Sequence, residues 1–254
     1  MHVLYSTGYL VTIATNAENL IASVTFFSVL SKNSVHNEVS MARKTKEDAI
    51  ATRNILLNSA EQIFFDKGYS QTTLMDVASH AGMTRGAIYW HFKNKIELFE
   101  AMVERVHLPL ESLVEACADE NEPDPLGKFR EFSVKFLIQL GSDRRLQQVF
   151  SVMLHKFEYN GQVAQLEKKQ QSSFQEFTQR IERTFKNAIK RGQLPIDLDI
   201  QQAAFIKHAY FTGILNNWLF CPLDYDLAKQ AESLVDNYFF MLSHSPNLRL
   251  SASN

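Results

Sequence analysis

The sequence predicts an all-α protein, with a small N-terminal helix-turn-helix domain followed by a larger helical domain. After residue 40, apolar residues recur at the three- and four-residue spacing of a helix face. No segment there alternates apolar and polar residues as a half-buried strand does. Residues 72–95 are typical of two short helices joined by a tight turn, with aromatic and basic residues behind them.

The first forty residues differ in composition from the rest of the chain. Residues 9–15 and 20–30 are apolar, but both runs are much shorter than the roughly 20 residues that span a bilayer. No Lys or Arg precedes Lys32, whereas a secretory signal begins with positive charge. We therefore expect residues 1–40 to be a misassigned start or a disordered tail, with a membrane anchor as the alternative.

The helix-turn-helix begins after a first helix, which is predicted over residues 46–67 and ends at Gly68 in a left-handed conformation. Thr73 is the predicted N-cap of the second helix, with Asp76 as its capping-box partner. Gly82 is expected to form the turn, because glycine adopts a left-handed backbone at little steric cost.

The third helix is predicted to be about two turns long, with Thr84 as its N-cap. Ile88 can pack inward, but the four consecutive ring side chains of residues 89–92 cannot all face one core. Lys93 and Lys95 follow directly, where ammonium groups can contact phosphates beside a DNA groove. This combination favours a recognition helix over an ordinary core helix.

The rest of the chain is predicted to be helical. Asn94 and Glu97 are typical of a second capping box, and Pro109 is expected to kink the helix that starts there rather than end it. Residues 119–125 are a predicted loop. Five further helices, which bring the total to nine, are predicted over residues 125–140, 143–158, 161–191, 199–220 and 226–243.

The net charge of −2 is distributed unevenly. Residues 41–95 carry eight Lys or Arg against five Asp or Glu, whereas residues 96–254 carry seventeen against twenty-one. The excess of basic residues therefore lies with the helix-turn-helix, where a DNA-binding surface needs it.

Residues 84–95, TRGAIYWHFKNK, resemble the helix-turn-helix of the TetR family of bacterial repressors. Residues 41–46 resemble the opening of the branch of that family that controls drug-efflux pumps and is typified by AcrR, TtgR and MtrR. Residues 154–158, 192–195 and 213–219 resemble later segments of the same branch.

The resemblance implies a DNA-binding domain over residues 41–95, a ligand-binding and dimerisation domain over residues 96–248, and a tail over residues 249–254. Thr72 and Thr73 match places where the family holds phosphates through a hydroxyl group and a helix N-terminus. The full set of expected DNA contacts is Lys44, Thr45, Thr72, Thr73, Thr84, Arg85, Gly86, Tyr89, Trp90, His91 and Lys95.

These positions have different expected roles. Arg85 is the candidate for direct reading, because a guanidinium can bond guanine O6 and N7 together. Lys95 matches a phosphate contact of the family. Two interpretations stay open for Trp90, as part of the core or as a wall against the groove. Lys44 and Thr45, expected just before the first helix, either reach the DNA backbone or form a solvated basic segment.

The resemblance also implies a ligand cavity among the middle helices, where many of the 19 phenylalanines lie. Where relatives carry an acid or an amide, this chain has His107, Phe150 and Thr212, so bulky apolar or neutral aromatic ligands are expected. Glu176 and Asn216 are candidate polar anchors. The expected ligand-binding residues are His107, Phe132, Phe136, Phe150, Leu154, Phe174, Phe177, His208, Phe211, Thr212 and Asn216.

Dimerisation is expected through the helices near residues 199–220 and 226–243. Both carry apolar and aromatic side chains on more faces than the core of one protomer requires. The family pairs the equivalent helices in a four-helix bundle, which implies a two-fold dimer on a pseudo-palindromic operator. A wholly intramolecular core is the alternative. Ligand binding is expected to shift the helix at 94–118 and so to move the recognition helices.

The main hypothesis is a cytoplasmic, ligand-responsive repressor of a multidrug efflux operon, with no cofactor. A second hypothesis is a regulator of lipid or aromatic-compound metabolism. A third, an enzyme acting on a hydrophobic substrate, lacks the common catalytic motifs, and His155, Lys156 and Glu158 are better explained as the end of a helix. Cys117 and Cys221 are too few for a disulfide framework or a zinc site.

Overall fold

The fold is given by a computed structural model, which describes residues 36–157, 164–221 and 225–250. Those residues form nine α-helices, and the predicted all-α class is confirmed. The helices are α1 (His36–Lys67), α2 (Leu74–His80), α3 (Arg85–His91), α4 (Lys95–Cys117), α5 (Pro125–Ser142), α6 (Arg144–Ser151), α7 (Ala164–Lys190), α8 (Ile200–Phe220) and α9 (Leu227–His244).

The first helix is longer than predicted. It spans His36–Lys67, a segment with no proline or glycine to interrupt it, and it is followed by Gly68, whose φ is +82°. The prediction that Lys44 and Thr45 precede this helix is therefore wrong. Both lie inside α1, where only the backbone is described.

The predicted N-terminal extension falls largely outside the described residues. Its last part, residues 36–40, forms the beginning of α1, whereas the apolar runs 9–15 and 20–30 are not described. None of the described helices is long and apolar enough to cross a membrane. The chain divides into two compact units, residues 1–49 and 50–254, and all contacts described below lie within the second unit.

The helix predicted over residues 143–158 is divided. α6 ends at Ser151, and Val152–Lys156 continue as a wider π-helical turn. The carbonyl of Lys156 accepts a hydrogen bond from the backbone N–H of Tyr69 at 3.1 Å, so the last carbonyl of this turn is used outside the helix. The outer part of the predicted segment, beyond residue 157, lies outside the described residues.

One apolar core continues through the helices of residues 56–248. Phe129 of α5 contacts Phe185 of α7 and Phe239 of α9, with ring centroids 5.9 and 6.0 Å apart. α5 and α9 approach closely at Gly141, where an added Cβ would lie 2.9 Å from the backbone nitrogen of Ala228. Glycine is therefore required there by packing rather than by backbone conformation.

Four aromatic side chains join the helix-turn-helix to the other helices, and we call them the aromatic joint. They are Phe64 of α1, Tyr69 after α1, Phe99 of α4 and Phe157 after the π-helical turn. The Phe157 ring centroid lies 4.7 Å from that of Tyr69 and 4.6 Å from that of Phe99, and Phe64 lies 5.6 Å from Tyr69. Aromatic pairs at these separations add about 0.5–1.5 kcal/mol each beyond the area they bury.

Replacing Gly141 with alanine should destabilise the fold by about 1–3 kcal/mol, since the new methyl group meets the backbone of Ala228. Urea unfolding measures this change. Gly86→Ala is the matched control, because an added Cβ there meets only Thr84 Oγ1, at 3.8 Å. The control should be neutral or gain up to about 1 kcal/mol. Equal unfolding free energies for both variants would contradict the packing argument.

Candidate DNA-binding and ligand-binding sites

The predicted capping box of α2 is present. The Thr73 hydroxyl oxygen accepts from the Asp76 backbone N–H at 3.1 Å, and the Asp76 carboxylate accepts from the Thr73 N–H at 2.8 Å. Lys67 also donates to Asp76 at 2.8 Å. The hydrogen bonds from Lys67 and then from Thr73 hold the pKa of the Asp76 carboxyl well below its usual range. The start of α2 is therefore fixed by local hydrogen bonds.

The turn that aims the third helix also follows the prediction. Gly82 has a φ of +65°, a conformation that favours glycine. Thr84 is the N-cap of α3, and its hydroxyl oxygen accepts from the Ala87 N–H at 3.2 Å. Ile88 is fully buried and anchors the helix from beneath. α3 is thus anchored by Ile88 and capped by Thr84, while Arg85, Tyr89 and Trp90 are exposed.

The exposed side of α3 carries the side chains expected to meet DNA. Trp90 is 72% exposed and Tyr89 is 46% exposed, so Trp90 belongs to the surface and not to the core. The Arg85 guanidinium lies over the Tyr89 ring, 5.5 Å from its centroid. An added Cβ at Gly86 would meet only Thr84 Oγ1, at an ordinary contact distance, so nothing among the described residues requires a glycine there. The missing side chain would leave room for the sugar-phosphate backbone of DNA to approach α3.

His91 differs from its neighbours because it is half-buried. Burial lowers the pKa of the His91 imidazole, and the nearby positive charge of Arg53 lowers it further. Its ring centroid lies 4.5 Å from that of Trp90, edge to face. A neutral His91 can support the exposed indole and still offer one nitrogen to a DNA phosphate.

Two expected phosphate contacts are engaged within the protein. Thr72 is buried, and its hydroxyl donates to the Gly68 carbonyl at 2.7 Å. The Lys95 ammonium donates to the carbonyls of Tyr69 at 2.8 Å and Ser70 at 3.2 Å, and burial lowers its pKa. Both side chains fix the turn between α1 and α2. Their phosphate contacts stay predictions, and this geometry favours structural roles.

Comparison with known proteins identifies the family. Residues 56–102 match the profile described as bacterial regulatory proteins, tetR family, and residues 124–244 match the C-terminal region of MAATS-type transcriptional repressors. The regulator TtgR of Pseudomonas putida is 38% identical over 209 residues, which are 82% of this chain and all of TtgR. The chain belongs to the TetR family. The predicted resemblance is thereby confirmed, including its branch.

Two solved structures of the same family share the fold. SmeT in complex with triclosan has a TM-score of 0.70 and 32% sequence identity, and the match covers 80% of this chain and 96% of that one. NalD, the secondary repressor of the MexAB-OprM multidrug efflux pump in Pseudomonas aeruginosa, has a TM-score of 0.69 and 30% identity over 78% of this chain and 99% of NalD.

The expected ligand-binding residues of this TetR-family chain fall into two groups. In the first, Phe132 and Phe136 of α5 stack with ring centroids 6.4 Å apart. Phe150 of α6 lies edge to face with Phe136 at 5.7 Å and beside His107 of α4 at 6.2 Å. Burial lowers the pKa of the His107 imidazole, so a neutral ring faces these aromatic side chains.

The second group lies between α7 and α8. The ring centroids of Phe174 and His208 are 4.4 Å apart, and the Thr212 hydroxyl is 3.3 Å from His208 Nε2. Phe211 is buried, and Phe177 is partly buried on the facing helix. Burial lowers the pKa of His208, and the positive charge of Lys207 lowers it further. The structure therefore brings these five residues into one aromatic region.

The remaining expected ligand contacts lie elsewhere. Leu154 is partly buried on the π-helical turn. Asn216 is exposed, and its Oδ1 lies 3.0 Å from His155 Nε2. Glu176 is exposed and pairs with Ser172 and Arg180 along its own helix. The two candidate polar anchors thus have partners on the protein surface.

Lys207 is a buried charged residue that sequence reasoning missed. It is 7% exposed, and its ammonium lies 4.7, 5.0 and 5.7 Å from the ring centroids of Phe177, Phe211 and Phe129. Burial lowers the pKa of this ammonium to about 7. The sequence spacing could have indicated that Lys207 is buried, because it lies four residues from both Ala203 and Phe211 on the buried face of α8.

Replacing Lys207 with methionine should stabilise the fold by about 1–4 kcal/mol near pH 6, since burying an unpaired charge is costly. The gain should shrink as pH rises from about 7 towards 10.5, because the folded lysine is then neutral while the unfolded one still binds a proton. Thermal unfolding between about pH 6 and about pH 9.5 measures it. Lys186→Met, at an exposed position of α7, is the control. A pH-independent difference would contradict the prediction.

Proposed function

We propose that this chain is a dimeric, ligand-released transcriptional repressor that acts in the cytoplasm on a multidrug efflux operon. The observation that carries this proposal is the exposed side of α3, where Arg85 lies over the Tyr89 ring, Trp90 is largely exposed and Gly86 has no side chain. A largely exposed indole adds little to the stability of the core. In a DNA groove the same indole could pack against sugars and thymine methyl groups.

The proposed DNA contacts have two roles, recognition of bases and positioning on the phosphate backbone. Arg85 reads a guanine, and Tyr89 holds the guanidinium in place through its ring face. Thr73, Thr84 and the exposed Lys93 lie at the ends of the short helices, where they can position phosphates. The local excess of positive charge in residues 41–95 supports the same surface.

Exposed aromatic side chains support dimerisation through α8 and α9. Phe205 is 68% exposed and Phe240 is 64% exposed, on the sides of these helices that face away from the core. Burying a phenylalanine stabilises by about 1.5–3 kcal/mol, so a second copy packed on this surface gains from each ring. A two-fold dimer uses the same patch twice and presents two recognition helices to a pseudo-palindromic operator.

The proposed inducer is a hydrophobic small molecule held among the aromatic side chains of α4 to α8. The complex of SmeT with triclosan and the role of NalD as a repressor of a multidrug efflux pump support this class of ligand and this kind of target gene. The chain would bind rather than catalyse: His155 is paired with Asn216, and Lys156 is bonded to a backbone carbonyl.

The link between ligand and DNA sites would run through the π-helical turn. Leu154 of this turn is an expected ligand contact, and Lys156 ends the turn two residues later. The Lys156 ammonium donates to the Phe65 carbonyl at the end of α1, while its own carbonyl accepts from the Tyr69 N–H. A ligand that displaces Leu154 would therefore pull on both the end of α1 and the turn before α2.

A second link would run through a buried carboxylate. Glu61 of α1 is almost fully buried and forms ion pairs with Arg105 of α4 and with Arg145 of α6, the latter at 2.9 Å. Charges buried in this way must keep their partners, because an orphaned one costs several kcal/mol. A shift of α4 or α6 would therefore carry α1 with it.

Replacing Arg85 with alanine should weaken binding to the operator upstream of the chain's own gene by about 10- to 100-fold and relax the preference at one base pair. Lys93→Ala is the comparison. Loss of a phosphate contact should weaken binding to all sequences alike and should lower the slope of log affinity against log salt concentration by about one. Fluorescence anisotropy at two salt concentrations measures both. If Arg85→Ala loses affinity for operator and random DNA equally, Arg85 does not recognise a base.

Replacing Lys156 with methionine should weaken the coupling between ligand and operator while leaving each separate affinity nearly unchanged. The bond to Phe65 is lost, but the backbone bond to Tyr69 remains. The ligand-induced loss of operator affinity should fall by about 2- to 30-fold, which corresponds to about 0.5–2 kcal/mol of coupling. Operator titrations with and without a hydrophobic drug measure it, and Lys186→Met should behave as wild type. Unchanged coupling in Lys156→Met would rule out this route.

A further inference from the structure

Lys207 lies outside the proposed DNA contacts and is not one of the exposed side chains proposed for the dimer surface, yet it is a charged group buried in the middle of α8. The rings of Phe129, Phe177 and Phe211 surround its ammonium, and we call these three rings the phenylalanine cage. They come from α5, α7 and α8, so three separate helices converge on one positive charge. Such convergence is a property of the tertiary fold and not of one helix face.

The ammonium has no acceptor among the described residues. It carries three N–H donors, but it makes no hydrogen bond and no ion pair with any residue that the structure describes. Attraction to ring faces offsets part of the cost of burial, at about 2 kcal/mol for a desolvated site, but it satisfies no donor fully. Glu61, by contrast, has two arginine partners.

The chemistry of this site selects for one kind of ligand. An anionic oxygen within reach of the ammonium would accept charge-assisted hydrogen bonds, which are about twice as strong as neutral ones. The phenylalanine cage would cover an apolar or aromatic body next to that oxygen. A cationic ligand would be repelled by the ammonium, and a neutral ligand would leave its donors unsatisfied.

We infer that Lys207 anchors an acidic, apolar small molecule, whose carboxylate or similarly acidic oxygen pairs with the ammonium while its body lies against the phenylalanine cage. This inference rests on the proposed function, because the cage shares Phe177 and Phe211 with the expected ligand site. It replaces the expectation of a neutral inducer with that of an organic acid.

A pair of probes that differ only in charge tests the inference. 1-Naphthaleneacetate and 1-naphthaleneacetamide have the same aromatic body, and isothermal titration of the full chain gives the affinity for each. Wild type should bind the acid about 10- to 100-fold more tightly than the amide. Lys207→Met should lose this preference, Lys207→Arg should retain part of it, and Lys186→Met, at an exposed lysine of α7, should retain all of it.

The outcomes separate this inference from the proposed function. Three results would overturn the anchoring role. Wild type could bind both probes with equal affinity, it could fail to bind the acid, or the preference for the acid could survive in Lys207→Met. Operator titrations of the same samples test the proposed function independently. If the amide releases the operator and the acid binds no more tightly, the repressor function is supported and the anchoring role of Lys207 is contradicted. An acid preference that depends on Lys207 supports the anchor whatever the operator titration shows.

Discussion

The contact on which the rest of this structure depends is the aromatic joint between the helix-turn-helix and the larger domain. Phe157 lies against both Tyr69 and Phe99 at less than 5 Å, and the Lys156 carbonyl accepts from the Tyr69 N–H. The joint fixes the turn before α2, and that turn sets where α2 and α3 begin. The position of α3 therefore depends in part on Lys156 and Phe157, which are more than 60 positions away from it in the sequence.

The two sites use aromatic residues in opposite ways. On α3 the rings are exposed and held from below by Ile88, so their surface is available to a large, charged partner. Among α4 to α8 the rings face one another, so a small apolar molecule can replace ring–ring contacts with ring–ligand contacts. In the proposed mechanism, repacking of this kind would change helix positions by small amounts, and the joint and the Glu61 ion pairs would pass those shifts on to α1.

Features that depend on a few neighbouring residues were predicted from the sequence. The capping box at Thr73, the glycine turn at Gly82 and the cap at Thr84 are each set by chemistry within four residues. The start of α1 was misplaced because no breaker marks it, and nothing local shows that the Lys156 carbonyl would leave the helical pattern for a distant N–H. Trp90 stayed undecided for the same reason, since only the folded structure shows which side of α3 has a neighbour.

Buried charged groups in this fold differ in whether a group of opposite charge lies beside them. Glu61 is paired with two arginines, and Arg180 lies among Glu111, Glu115 and Glu176, so each of these covered charges has opposite charges beside it. Lys207 departs from this rule, and a methionine of similar volume would fill its place at less cost. Departures from local consistency are expected where function requires them, and a binding partner can compensate the cost in the bound state. The proposed acidic ligand would supply the acceptor that the Lys207 ammonium lacks among the described residues.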